Sequence, residues 1–295
     1  MAPSPRAPQP PPNFPSLPPN PPLDVSPEAT LQFFLQRSTL PEVDDADVAE
    51  TMDKLKADGA ISDGRWALLY TRRLTGGEGD GAGGGGGLEG VCRDIEGISN
   101  MILAAAAPIL KRRGREITAK TKHITYSVDE DGEVADGHGV ATLLEDTTTL
   151  PSQQVHRLSN PDNAVNWVFT GSDTQLDAIC DQVLSDAVDL LDADPTRLSR
   201  YAVSVSDTAM RFWYLSPSII LPTHSFDFVL DPTPLVEFLM TTSFASHAEL
   251  GYDPAMKRVL TEDGMIAYEV SIEDENGEVC RYRTVGEPFY VCSSS

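Results

Sequence analysis

An α+β fold is the class this sequence predicts: a mostly antiparallel sheet with two long helices, preceded by a small helical unit of winged-helix outline and a disordered proline-rich tail. Three observations point there. Residues 201–214 and 264–285 alternate apolar and polar positions around turn signals, as antiparallel hairpins do. Residues 88–108 and 173–191 instead repeat their apolar side chains at helical spacing. Runs rich in proline or glycine divide these stretches from what comes before.

Residues 1–26 form the tail, because MAPSPRAPQPPPNFPSLPPNPP offers too little apolar surface to offset the entropy of ordering it. PxxP spacings such as Pro15 to Pro18 suit an aromatic-lined groove, but the composition by itself reads as an extended chain. Residues 27–74 follow as a small helical module. Leu31, Phe34 and Leu35 mark its first helix, and Val48, Met52 and Leu55 its second, capped by Asp44 or Asp45. ISDGRWALL then reads as strand-like around an Asp63-Gly64 turn. Two helices and a strand outline a winged helix, yet an acidic surface without a basic recognition helix favours a protein-contacting unit over a DNA reader. Residues 75–87 are a glycine-rich linker. Gly79, Gly81 and Gly84 satisfy G-x-G-x-x-G there by composition alone, without the flanking strands and lysine of a phosphate-cradling loop.

The main α+β domain spans residues 88–290, with 291–295 as a tail. Val91, Ile95, Ile98, Ile102 and Leu103 lie on one helical stripe that should end near Pro108. Ile124, Tyr126 and Val128 alternate before Asp131-Gly132, giving a hairpin over residues 117–145, and residues 147–163 are polar and turn-rich. The helix at 173–191 has a broad apolar face including Leu176, Ile179, Val183 and Leu191, with Ser172 and Gln175 at capping-box spacing. Asp177, Asp181, Asp186 and Asp189 on its other face read as a solvated row, not a metal site. Tyr201, Val203 and Val205 pair across Ser206-Asp207-Thr208 with Met210, Phe212 and Tyr214, a hairpin with one buried face. A short apolar run at 218–221 follows. Pro222 and Pro232 bound a loop carrying Phe226 and Phe228, and Leu235, Val236, Leu239 and Met240 open a helix just after Pro234. Asn276-Gly277 turns the last hairpin.

Composition removes several function classes. A net charge of −23 repels phosphate backbones, which speaks against nonspecific nucleic-acid binding. The basic cluster of Lys111, Arg112 and Arg113, with Arg115, Lys120 and Lys122 nearby, reads as a helix end where cations complement the dipole, ahead of a nuclear localisation patch. Cys92, Cys180, Cys280 and Cys292 are scattered without CxxC spacing, so neither a zinc site nor a disulfide framework is expected, only reduced thiols. With no signal peptide and no membrane-length apolar run, an intracellular protein, cytoplasmic or nuclear, is expected. His123, His138, His156, His224 and His247 stand apart from any G-x-S-x-G elbow; His138, between Gly137 and Gly139, is the one to test.

Six segments carry a resemblance. DGRWALL (63–69), DIEGISNMILAA (94–105), DTAMRFWYLSPS (207–218), SFDFV (225–229), ELGYDP (249–254) and YRTV (282–285) occur in this order. Together they resemble the region upstream of the catalytic core in fungal-type protein kinases. MRFWY, SFDF and ELGYDP are its most specific pieces. The resemblance implies phosphate transfer from ATP, which needs a lysine–glutamate pair, an aspartate accepting the hydroxyl proton, and an asparagine and second aspartate for magnesium. The nearest echo is the segment from His156 to Asn163, with Leu158 where the aspartate is needed, and VFTG at 168–171 lacks the metal-binding carboxylate. Some family members also carry a nuclease-like strand ending in E-x-K; the matching strand here, VNWVFT at 165–170, has neither acid nor lysine.

The expectation is therefore a chain that stops before the kinase core, as a shortened product or a gene prediction missing its kinase exons. It would act as a non-catalytic accessory domain binding a protein partner, with a kinase domain as the candidate, and with no membrane or nucleic-acid partner. No catalytic, cofactor-binding or metal residues are assigned. The alternative is an ATP-dependent protein kinase whose catalytic part lies elsewhere.

Overall fold

The computed structural model describes residues 29–41, 43–69, 88–130, 133–145, 162–170, 183, 194–261, 266–274 and 278–284. The proline-rich tail, the glycine-rich linker with its G-x-G-x-x-G spacing, most of the polar stretch 147–163, and the helix expected at 173–191 apart from Val183 lie outside them.

Helix α1 (Leu31–Arg37) starts at Thr30, whose hydroxyl accepts the Phe33 N–H, and α2 (Asp45–Ala57) starts at Asp44, whose carboxylate accepts the Ala46 N–H. The strand-like run resolves into a two-rung hairpin, β1 (Ile61–Ser62) with β2 (Arg65–Trp66). Its turn holds both Asp63 and Gly64 at positive φ, 51° and 75°, the mirror-image turn that a tight hairpin prefers. Trp66 is fully buried, and its indole N–H donates to the Phe228 carbonyl at 3.0 Å, tying this hairpin to a segment 162 residues away.

Helix α3 (Leu88–Lys111) passes through Pro108 instead of ending there. Pro108 and Ala104, whose carbonyl loses its partner, both lie on the exposed face, where that carbonyl is open to solvent, while buried Ile109 and Leu110 hold the last turn down. Ile95, Ile98 and Ile102 form the buried stripe as expected, joined by Cys92.

The large sheet runs β3 (Ala119–Glu130), β4 (Glu133–Leu144), β5 (Asn163–Thr170), β6 (Arg200–Ser206), β7 (Ala209–Ser216) and β8 (Ile219–Pro222), with β9 (Phe226–Asp227) continuing along the same edge of β7. All neighbours are antiparallel except β5 and β6, which pair in parallel from Val165↔Tyr201 to Thr170↔Ser206. A parallel pair needs a crossover, and residues 171–199 are long enough to provide one.

The β6–β7 hairpin is buried on both faces, not one. Met210, Phe212 and Tyr214 point into the main core, where the Phe212 and Phe238 rings stack at 4.0 Å. Trp213 and Leu215 point the other way, into a second cluster with Val168, Ala202, Ile220 and the helical Val183. The uninterrupted run Phe212-Trp213-Tyr214-Leu215 is what a strand covered on both sides requires.

Helix α4 (Thr233–Ser243) begins with Pro234 in its first turn, and Asp231 accepts the Thr233 N–H. Strands β10 (Met256–Leu260), β11 (Ile266–Glu273) and β12 (Val279–Arg283) make a separate antiparallel sheet. The β11–β12 hairpin was legible from Asn276-Gly277; β10 was not. Apolar side chains of α1, α2 and β2 belong to one continuous core with α3, α4 and the large sheet.

Candidate functional site

Among the described residues, a dense polar arrangement lies where residues 246–254 fold against residues 194–200. Asp194 accepts from the Thr196 N–H and hydroxyl, at 3.1 and 2.7 Å, which sets the turn that presents Arg197. The Arg197 side chain is wholly buried. Its guanidinium donates to the carbonyls of Leu250 (3.1 Å) and Asn163 (2.6 Å) and to the Tyr252 hydroxyl, lies 3.4 Å from the Tyr252 ring centroid, and sits 3.8 Å from the Asp194 carboxylate. Burial pushes the Arg197 guanidinium down and the Tyr252 phenol up, against the attraction each exerts on the other. Arg200 is also buried, and desolvation together with the Arg197 charge pushes it down to about 9, leaving it a cation at neutral pH.

Backbone bonds close the arrangement. The N–H groups of Leu198 and Ser199 both donate to the Gly251 carbonyl, and the Asp253 N–H donates to the Thr196 carbonyl. Gly251 has φ +88°, and a Cβ there would stand 2.4 Å from the Ser199 carbonyl oxygen. Glu249 completes the latch. Burial raises its carboxyl, but the bonds it accepts from Arg115 and from the Ser246 N–H outweigh that and hold it below its ordinary value. Its carbonyl accepts from Thr39, so the loop after α1 is fastened too.

The other motifs are equally committed to structure. Asp227 of SFDF accepts the N–H groups of Val229 and Leu230 and the Thr208 hydroxyl, Phe226 packs on Phe212 at 5.2 Å, and Phe228 is buried. Arg211 of MRFWY lies 5.7 Å from the Trp213 ring.

The basic cluster sits at the α3 end, as read from the sequence. Arg112 pairs with Glu50, Arg113 with Asp44 and Asp47, Arg115 with Glu249, and Lys120 and Lys122 with Glu145. Of the catalytic-loop echo, residues 156–161 lie outside the described residues; Asp162 pairs with Arg258, and Asn163 gives its carbonyl to Arg197. His138 lies in β4 opposite Thr125. The His224 N–H donates to the Ala29 carbonyl, and the His247 ring lies 5.6 Å from that of Tyr252. Cys92 is buried and its thiol pushed up to about 11 by desolvation, which disfavours the thiolate; Cys280 is exposed. Among the described residues no group of three or more His, Cys, Asp or Glu side chains converges on a metal position. No described helix is long and apolar enough to cross a membrane.

The family model for fungal protein kinase matches residues 143–291. The chain belongs to the fungal protein kinase family. Four of the six segments resembling this family, from DTAMRFWYLSPS to YRTV, fall inside the matched span, while DGRWALL and DIEGISNMILAA precede it. No curated protein and no solved structure matches the chain. The resembling segments inside the matched span thus build the double-faced hairpin, the Asp227 turn and part of the Arg197 latch. Sequence reasoning missed the latch, since Asp194, Arg197 and Tyr252 have no spacing signature; ELGYDP, with its glycine, was the available signal.

Proposed function

We propose that this chain is a non-catalytic accessory domain of the fungal protein kinase family that binds a protein partner, a kinase domain being the candidate. Its partner-facing part is the small helical unit of α1 and α2 with the surface around it. The observation that carries this reading is the use made of the matched residues. Phosphate transfer needs charged side chains turned toward a cleft where they meet nucleotide and metal. Asp162, Asp194, Arg197 and Arg258 instead bond to one another, to Tyr252 or to backbone carbonyls, inside the fold.

The test has two arms. In thermal unfolding with millimolar ATP and magnesium, the Tm should not move, because only a ligand that binds the folded state raises it. In calorimetry, a purified catalytic domain of the same family should bind the chain. Family membership itself favours a second reading, a phosphotransferase. Magnesium-dependent stabilisation, or labelling of a substrate from ATP that one acid substitution abolishes, would establish it and sink the accessory role.

A further inference from the structure

An open groove of about 1000 Å³ lies between α1, the start of α2, the end of α3 and α4. Buried Leu40, Leu110, Met240 and Phe244 close its floor, and the apolar surface still open to the groove is that of half-buried Leu35 and Val43 on its wall. Its rim is acidic. Asp44, Asp45, Asp47 and Glu237 stand there against two guanidiniums, Arg113 and Arg115. Both cations are already taken, Arg113 by Asp44 and Asp47 and Arg115 by Glu249. Asp45 and Glu237 are left without a cation beside them among the described residues. Burial, and then the Asp45 charge, hold the half-buried Glu237 carboxyl above its ordinary value. The fold thus places two carboxylates on one groove beside half-buried apolar side chains, an arrangement that a cation with an apolar neighbour would relieve.

We propose that this groove binds a basic amphipathic segment of a protein partner, a Lys or Arg entering between Asp45 and Glu237 while an adjacent apolar side chain covers Leu35 and Val43. The proposal rests on the accessory-domain reading and gives the partner's chemistry. Anionic ligands are repelled by a chain of net charge −23. A small inorganic cation would leave Leu35 and Val43 uncovered, whereas a peptide answers both the charge and the apolar surface.

The probe is a fluorescent leucine–lysine amphipathic peptide, titrated into the full chain at physiological salt and followed by anisotropy. Its counterpart carries the same lysines with every leucine replaced by alanine. The groove variant is Asp45→Asn with Glu237→Gln. A control of equal charge change, Asp53→Asn with Glu273→Gln, alters exposed acids away from the groove. We expect the groove variant to weaken binding about tenfold, the control to leave it within about twofold, and the alanine peptide to lose about tenfold. Equal losses in both variants, or equal affinity of the two peptides, overturn the groove and leave only the general field of an acidic chain. That outcome with the ATP arms still silent would remove the groove alone; ATP-dependent labelling would remove the accessory reading beneath it.

Discussion

Replacing Gly251 by alanine tests the latch at the point where the backbone leaves least room. Two effects add. At φ +88° an L side chain is strained by about 1–2 kcal/mol. The new Cβ would also stand 2.4 Å from the Ser199 carbonyl oxygen and hydroxyl. Those atoms include backbone, so the two segments must separate, stretching the bonds from the Leu198 and Ser199 N–H groups, each worth about 1 kcal/mol. The sum is about 3–4 kcal/mol, and at roughly 2–4 °C per kcal/mol the Tm should fall by about 6–16 °C. Gly64→Ala is the matched control: φ is +75° but nothing lies within 4 Å of its Cβ, so strain alone remains, about 1 kcal/mol or a few degrees. Both variants are read by circular dichroism melts and urea unfolding. If Gly251→Ala costs no more than Gly64→Ala, the close approach is not what holds residues 246–254 in place.

Three further substitutions probe independent parts of the fold. Arg197→Met strands the buried Asp194 carboxylate and should cost about 3–5 kcal/mol in urea unfolding, with part recovered on adding Asp194→Asn; no recovery would show the pair is not coupled. Trp66→Phe keeps the ring but orphans the Phe228 carbonyl, so a loss of about 1–3 kcal/mol is expected, and a neutral result would exclude that bond as a tie between the two segments. Glu237→Gln carries a sign. A carboxyl raised in the folded state binds protons more readily there than in the unfolded chain, so its contribution to stability is complete below the unfolded value of 4.5 and lost as pH rises through the folded one. The glutamine variant should therefore be the more stable at pH 7 and should flatten the wild-type gain between pH 7 and 4.5; a parallel pair of pH profiles would contradict the shift.

Local patterns in the sequence announced most of the fold and little of the site. The β6–β7 hairpin, the α3 stripe, α4 after Pro234 and the β11–β12 hairpin all follow from periodicity and turn chemistry within a few residues. What went unread depends on distant partners. Burial of Trp213 depends on Val183 covering the second face, and the parallel β5–β6 pairing on a crossover whose path no local pattern dictates. The helix passes Pro108 because Ala104 happens to face solvent, a fact of packing that the proline alone does not reveal. Nothing in DPTRLSR distinguishes Arg197 from a surface arginine; its burial comes from Tyr252 and Leu250 lying against it.

The motifs that identify this family share one property. Each marks a position with a local structural demand: glycine where 251 meets the Ser199 carbonyl, an acceptor where Asp227 gathers two N–H groups and a hydroxyl, and large rings where β7 is covered from both sides. Such demands act whatever the protein binds. Residues that choose a partner face no such constraint. Asp45 and Glu237 lie on the groove with ordinary helical geometry and belong to no motif, and their proximity arises only when α2 packs on α4. It follows that the segments most diagnostic of family are poor places to seek this chain's specificity, and that variants in ELGYDP should fail by unfolding while variants at the groove should fail, if at all, in binding a folded partner.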